Sequence, residues 1–144
     1  MLGFQRLPEQ QRGVVLRFGR FSRVVGPGLA FACPFIETMV VVDMQPAKLF
    51  IPEQEVSTRD KSLLQVDAEV SYRVVDPAKA VTQVENYPSA VRLFCAITFR
   101  SVLGELEKDD LRADLPKANR LYRQLLSETL SNWGIEVSDV DIRA

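Results

Sequence analysis

Histidine is absent from this 144-residue chain. Its absence removes the commonest proton-transfer group near neutral pH, the Ser-His and Cys-His nucleophile pairs, and most zinc sites. Cysteine occurs twice, as Cys33 and Cys95. The two are too far apart for metal-ligand or CxxC spacing, and each sits among apolar neighbours, as a buried free thiol would. No GxGxxG, GxxxxGK[ST], GxSxG or SxxK pattern occurs, so neither a phosphate cradle nor an activated hydroxyl is signalled, and no cofactor or small-molecule substrate follows. Long hydrophobic runs are missing too. The longest uncharged stretch, Val24 to Ile36, is broken by Gly26, Pro27 and Pro34 and falls short of the roughly 20 apolar residues that span a bilayer. MLGFQRLPEQ lacks a signal peptide's basic start and apolar core. Finally, a net charge of −1 and a pI near 5.5 provide no general attraction to nucleic acid.

What is present fits one folded domain over residues 1–144: 47% hydrophobic and 26% charged residues, with no low-complexity segment. Charge is unevenly placed. Arg6, Arg12, Arg17, Arg20 and Arg23 face the single acid Glu9 at the start, whereas Glu105, Glu107, Asp109, Asp110 and Asp114 crowd a later segment. The basic start reads either as a solvated hairpin face or as a contact for anionic lipid, where each basic residue near the surface adds on the order of 1 kcal/mol.

The chain is organised around Ser62 to Val75. Leu64, Val66, Ala68, Val70, Tyr72 and Val74 alternate with Gln65, Asp67, Glu69, Ser71 and Arg73, a period of two that specifies a long strand with one wet face. Before it, Gly13–Phe18, Leu29–Cys33 and Thr38–Asp43 read as strands, with Gly19-Arg20 beginning one connection and Gly26-Pro27-Gly28 a compact turn in which each glycine can take positive φ. Lys48–Ile51 and Glu55–Thr58 read as short extended pieces parted by Pro52, and Arg59-Asp60-Lys61 turns the chain into the long strand. After it the pattern becomes helical. Asp76 caps a helix opening at Pro77; Ser89 caps one from Ala90 to about Leu103, apolar on more than one face, hence expected to be well buried, and closed by Gly104. The acidic ELEKDDLRADLP is a short helix and connection, with Asp114 ahead of a helix from near Pro116 to Trp133, and Gly134 ends that helix. In IEVSDVDIR, Ile135 and Val137 fall out of phase with Val140 and Ile142, which places a bulge near Ser138. The expected fold is α+β: a mostly antiparallel sheet, helices packed on one face, and a returning C-terminal strand.

Two surfaces stand out. Arg20 and Arg23 lie beside the apolar Leu29, Phe31, Pro34 and Phe35, the combination an interfacial lipid contact needs, with ordinary sheet burial as the alternative. Gln65, Asp67, Glu69 and Arg73 share the wet strand face, where mixed charges could fix register between copies of the chain, or simply meet solvent. Asp67 and Glu69 form the nearest approach to a catalytic carboxylate pair, but Arg73 on the same face and the absence of a motif argue for a non-enzymatic protein.

EQQRGVVLRFGRF, GPGLAFACPFIETMVVVD, IPEQEVSTRDKSLLQVDAEVSYRVVDPAKAV, VENYPSAVRLFCAITFRSVLGEL and WGIEVSDVDIR resemble, in order, the successive blocks of the stomatin, prohibitin and flotillin (SPFH, or Band 7) domain, over nearly the whole chain. VENYPSAVRL followed by FRSVLGEL is most similar to the stomatin branch. Where stomatins typically read VDLR, this chain has Val42-Asp43-Met44-Gln45. The resemblance implies a membrane-associated scaffold that forms homo-oligomers at a lipid surface and organises ion channels or membrane proteases. It also implies a core segment, itself soluble, with a hydrophobic anchor before it and a coiled coil after it. A monomeric regulatory module docking on one protease or channel is the alternative, separable from the first by mass measurement on the full-length protein.

Overall fold

The computed structural model describes residues 3–57, 63–106 and 115–143. The expected turn at Arg59-Asp60-Lys61, the acidic connection and the Asp114 cap lie outside the described residues. The long alternating run is a strand, Leu63–Val74 (β7), central between Ala47–Ser57 (β6) and Ile135–Arg143 (β8), both antiparallel to it. Val66, Ala68, Val70 and Val74 are buried on its inner face, while the intervening polar residues turn outward, as a period of two requires.

Two details of this sheet follow from single residues. The pieces expected on either side of Pro52 are one strand: pairing with β7 continues through an irregularity between Ile51 and Gln54. Proline fits there because β6 is an edge strand, so the ladder can step around a residue with no N–H to donate. In β8, Val137 pairs with Tyr72 and Asp139 with Ser71, leaving Ser138 as the extra residue expected there. Its hydroxyl donates to the Ser71 carbonyl at 3.1 Å.

The N-terminal strands form two further sheets. Gln11–Arg17 (β2) is flanked by Arg20–Val25 (β3) and Glu37–Asp43 (β5), and Phe4–Leu7 (β1), a strand not foreseen in the sequence, pairs with Gly28–Phe31 (β4). All pairings are antiparallel. The turn between β2 and β3 is Phe18-Gly19, at φ 52° and 80°, rather than Gly19-Arg20. Two consecutive positive-φ residues match the twist of a two-residue hairpin, and Arg20 is then already paired with Arg17. Gly26 and Gly28 both take the positive φ expected of them.

Helix α1 (Pro77–Thr82) is capped as expected, the Asp76 carboxylate accepting from the Lys79 N–H at 3.2 Å. Helix α2 (Tyr87–Leu106) starts earlier and ends later than the sequence suggests. Asn86 caps it in place of Ser89, whose N–H it accepts at 3.5 Å; Pro88 fits the first turn, where a missing N–H is harmless. Gly104 lies inside the helix, since glycine permits a stop without compelling one. Nor is α2 buried on more than one face: Val91, Cys95, Phe99, Val102 and Leu103 are inside, but Leu93 and Ile97 are exposed. Helix α3 (Leu115–Leu130) buries Ala118, Tyr122, Leu126 and Leu130, then tightens into a 3-10 turn, Ser131–Trp133, closed by Gly134 at φ 71°.

The inner face of β6–β7–β8 and the buried faces of α2 and α3 share one core, which extends to Val14 and Val42 of the second sheet. Within it the Tyr122 hydroxyl donates to the Cys95 carbonyl at 2.6 Å, and its ring lies 5.5 Å from that of Phe99. The Ile142 N–H donates to Asn119 at 2.9 Å, tying the outer strand β8 to α3. Among the described residues no helix is long and apolar enough to cross a membrane.

Candidate functional site

Apolar side chains collect at one end of the N-terminal sheets. Arg6 pairs with Leu29 and Phe4 with Phe31, so these four share one face of the β1–β4 ribbon, opposite buried Ala30. The Phe4 and Phe31 rings are 4.8 Å apart. Phe35, at φ 74°, is fully exposed, and Phe18 at the β2–β3 turn is 72% exposed. The Phe18 N–H donates to the Ile36 carbonyl at 2.9 Å, which sets the hairpin tip beside the Phe35 loop. The Arg17 guanidinium lies 6.0 Å from the Phe18 ring centroid. Single exposed apolar residues are ordinary; several of them near arginines are the pattern that interaction surfaces show.

The sequence-predicted residues are brought together here, with different tasks. Leu29, Phe31 and Phe35 are exposed, Pro34 is half-buried, and Arg20 stands in solvent at the start of β3. Arg23 is committed inward. Its guanidinium donates to both Glu37 carboxylate oxygens, at 2.8 and 3.2 Å, and to the Phe31 carbonyl at 2.7 Å. Glu37 also accepts the Cys33 N–H at 2.8 Å. These bonds, the Arg23 pair first and the Cys33 amide second, hold the Glu37 carboxyl at about 2. The Arg23–Glu37 pair thus fixes the loop that displays Phe31 and Phe35, while Arg20 is exposed at the start of β3. Phe4, Phe18 and Phe21, all exposed, escape sequence reading because aromatics in strands usually signal core. The signal that could have found Phe18 is its place beside Gly19, at a turn tip where no sheet can cover it.

Gln65, Asp67, Glu69 and Arg73 do lie together on the outer face of β7. Cross-strand neighbours complete that face: Phe50 and Asp141 flank Glu69, Arg143 stands opposite Asp67, and Glu136 opposite Arg73. Lys48 and Arg143 each reach Glu69 at 3.6 Å, Arg143 reaches Asp141 at 2.8 Å, and Arg73 reaches Glu136 at 3.5 Å. Such exposed pairs each contribute about 0–1 kcal/mol. Among the described residues, Asp67 Oδ1 is buried without a hydrogen-bond partner. Phe50, 59% exposed in the middle of this charged face, was not foreseen.

Elsewhere a cleft of about 150 Å³ separates Asp43 and Pro46 from Tyr72 and Tyr87. Burial raises both tyrosine hydroxyls above their ordinary range, so both stay protonated at neutral pH. Cys95 is pushed by desolvation to about 12, a protonated and inert thiol at neutral pH. Among the described residues, the ionisable groups of the β7 outer face are spread over the sheet rather than gathered in the cleft.

Comparison with known proteins agrees with the fold. A family model described as SPFH domain / Band 7 family matches residues 5–144. An uncharacterised protein of Archaeoglobus fulgidus is 43% identical over 135 residues, covering 94% of this chain and 54% of its own length. A stomatin homolog of Pyrococcus horikoshii is 41% identical over 135 residues, 94% of this chain and 51% of that protein. Mouse stomatin is 34% identical over 137 residues, 94% of this chain and 48% of its own. The chain therefore spans about half the length of these relatives.

Proposed function

The chain belongs to the SPFH domain / Band 7 family, and on that premise we propose that it is a non-enzymatic scaffold domain that sits against a membrane, self-associates, and thereby positions partner membrane proteins such as channels or proteases. The observation that carries this reading is the exposed apolar end, Leu29, Phe31 and Phe35 with Phe4 and Phe18, beside the cations Arg6, Arg17 and Arg20. Apolar residues seated in the acyl boundary with arginines at headgroup level are what interfacial binding requires. Arg23 and Pro34 belong to the same edge as its supports, the former through Glu37. The outer face carrying Gln65, Asp67, Glu69 and Arg73 is assigned to contact between copies, and many weak attachments then act together.

Flotation with anionic vesicles tests the lipid contact. Leu29 is 73% and Phe35 106% exposed, so Leu29→Ser with Phe35→Ser alters no core. Each large apolar side chain withdrawn from lipid contact removes up to about 1.5–3 kcal/mol, and the double variant should float at least about tenfold less well. Arg20→Glu should weaken flotation further on anionic vesicles and leave binding to neutral ones unchanged. Flotation of the triple variant equal to the parent's would overturn the assignment of this edge.

A further inference from the structure

The cleft between Asp43 and the two tyrosines is built by four elements. β5 ends at Asp43, β6 opens at Ala47, β7 supplies Tyr72, and α2 opens at Tyr87 and Pro88. Ala47 stands opposite Tyr72 in the β6–β7 ladder, and its small side chain leaves room beside the tyrosine ring. The chain turns from β5 toward β6 at Asp43, whose Oδ1 accepts the Gln45 N–H at 2.9 Å.

The chemistry of the cleft is that of a carboxylate among aromatic rings. Pro46 and Pro88 bring no N–H, so its polar side chains are Asp43, Gln45, Tyr72 and Tyr87 around a space of about 150 Å³. The Tyr87 hydroxyl lies within electrostatic reach of both Tyr72 and Asp43. Among the described residues no lysine or arginine pairs with the Asp43 carboxylate. An anion would be repelled by that carboxylate, and a divalent metal finds no cluster of three acidic, thiol or imidazole ligands among the described residues. An organic cation meets both features at once, since the carboxylate supplies the counter-charge and aromatic rings attract an ammonium through their negative faces.

We propose that this cleft binds the ammonium group of an organic cation, with Asp43 as counter-ion and Tyr72 and Tyr87 as aromatic walls. The ligand does not come from the membrane that the Phe31 and Phe35 edge would meet. β5 begins at Glu37, beside that edge, and its six residue steps set Asp43 about 20 Å away. The ammonium therefore belongs to a small soluble quaternary amine or to a lysine side chain of another protein. Arg92 lines the adjoining groove with Pro88, Ser89, Leu93 and Ala96, and its charge reaches Tyr72. It opposes a bound cation, which gives the site a variant that should bind more tightly rather than less.

Titration of this chain with tetramethylammonium chloride, followed by the amide NMR shifts of Ala47, Tyr72 and Tyr87, tests the proposal, with sodium chloride at equal ionic strength as the control. Saturable shifts are expected in roughly the millimolar range, and tetrabutylammonium, too large for the cleft, should give none. Asp43→Asn keeps an oxygen for the Gln45 N–H but removes the charge, and should weaken binding at least about fivefold. Tyr87→Leu should weaken it by a similar factor, of about fivefold, while Tyr87→Phe, which keeps the ring, stays within about twofold of the parent. Arg92→Gln should tighten binding by about twofold or more, a gain that misfolding cannot produce. A lysine tripeptide with blocked termini, titrated in parallel, separates the two sources: tighter binding of the tripeptide supports a protein lysine as the ligand, and tighter binding of tetramethylammonium supports a small quaternary amine. No saturable shift with either probe, equal shifts with sodium or tetrabutylammonium, or unchanged affinity in Asp43→Asn overturns the proposal.

Discussion

The Arg23–Glu37 pair shows what a single contact contributes to the edge it supports. Glu37 is held at about 2 against an ordinary 4.5. A depressed carboxyl contributes stability that is fully present above its unfolded value, and that is lost as pH falls toward the folded one. The parent's urea midpoint should therefore drop between about pH 4.5 and about 2. Glu37→Gln should lower the midpoint at pH 7 and flatten its fall across that window. An unchanged slope would mean that the ion pair does not hold the loop. Arg23 was visible in the sequence as a basic residue near an apolar run, but its partner was not. Glu37 lies 14 residues away, and only the placing of β3 and β5 on either side of β2 brings the two together. The same limit hid the pairing of Phe4 with Phe31, since β1 lacks the alternation and length that announce a strand. Phe35 and Leu29, by contrast, were legible because glycine, proline and apolar residues cluster without a polar alternation to bury them.

At the scale of elements, legibility followed periodicity. β7 and β8, including the extra residue at Ser138, could be read because one face of each is buried and a one-residue slip would expose it. Helix ends were less legible: Asn86 displaced Ser89 as the cap of α2, and Gly104 proved to be interior. Asn86 and Ser89 carry the same capping chemistry, and glycine permits a helix end without requiring one, so packing decided both ends. The two glycines at the candidate helix ends now predict opposite outcomes. Gly134 holds φ 71°, and a Cβ there would run into the Asp76 carbonyl; Gly134→Ala should destabilise by roughly 1–3 kcal/mol. Gly104 sits in open space inside α2, where alanine is the better helix former, so Gly104→Ala should stabilise by about 0.5–1 kcal/mol. Urea unfolding of the two variants checks the pair, and equal effects of one sign would refute the helical placing of Gly104.

For the whole molecule, the arrangement of surfaces governs how binding depends on concentration. On the scaffold reading proposed above, the lipid edge and the outer face of β7 use different residues, so each copy would carry one modest lipid attachment while neighbouring copies add theirs. When the membrane already holds one protomer, the next gains both a lipid contact and a protein contact, and the effective concentration of its lipid edge rises into the millimolar range. Binding of the parent to anionic vesicles should then be sigmoidal in protein concentration, with apparent affinity at least about tenfold above that of a single copy. Asp67→Lys with Glu69→Lys should reduce the curve to a simple hyperbola, with the initial slope at low occupancy preserved. Leu29→Ser with Phe35→Ser should lower the initial slope and leave concentration-dependent association in solution intact. Isotherms of parent and both variants, measured at fixed lipid, separate these effects. If the variant of the β7 outer face kept the sigmoid, the cooperativity would have to reside in the lipid edge, and membrane binding and assembly would be one surface rather than separate ones.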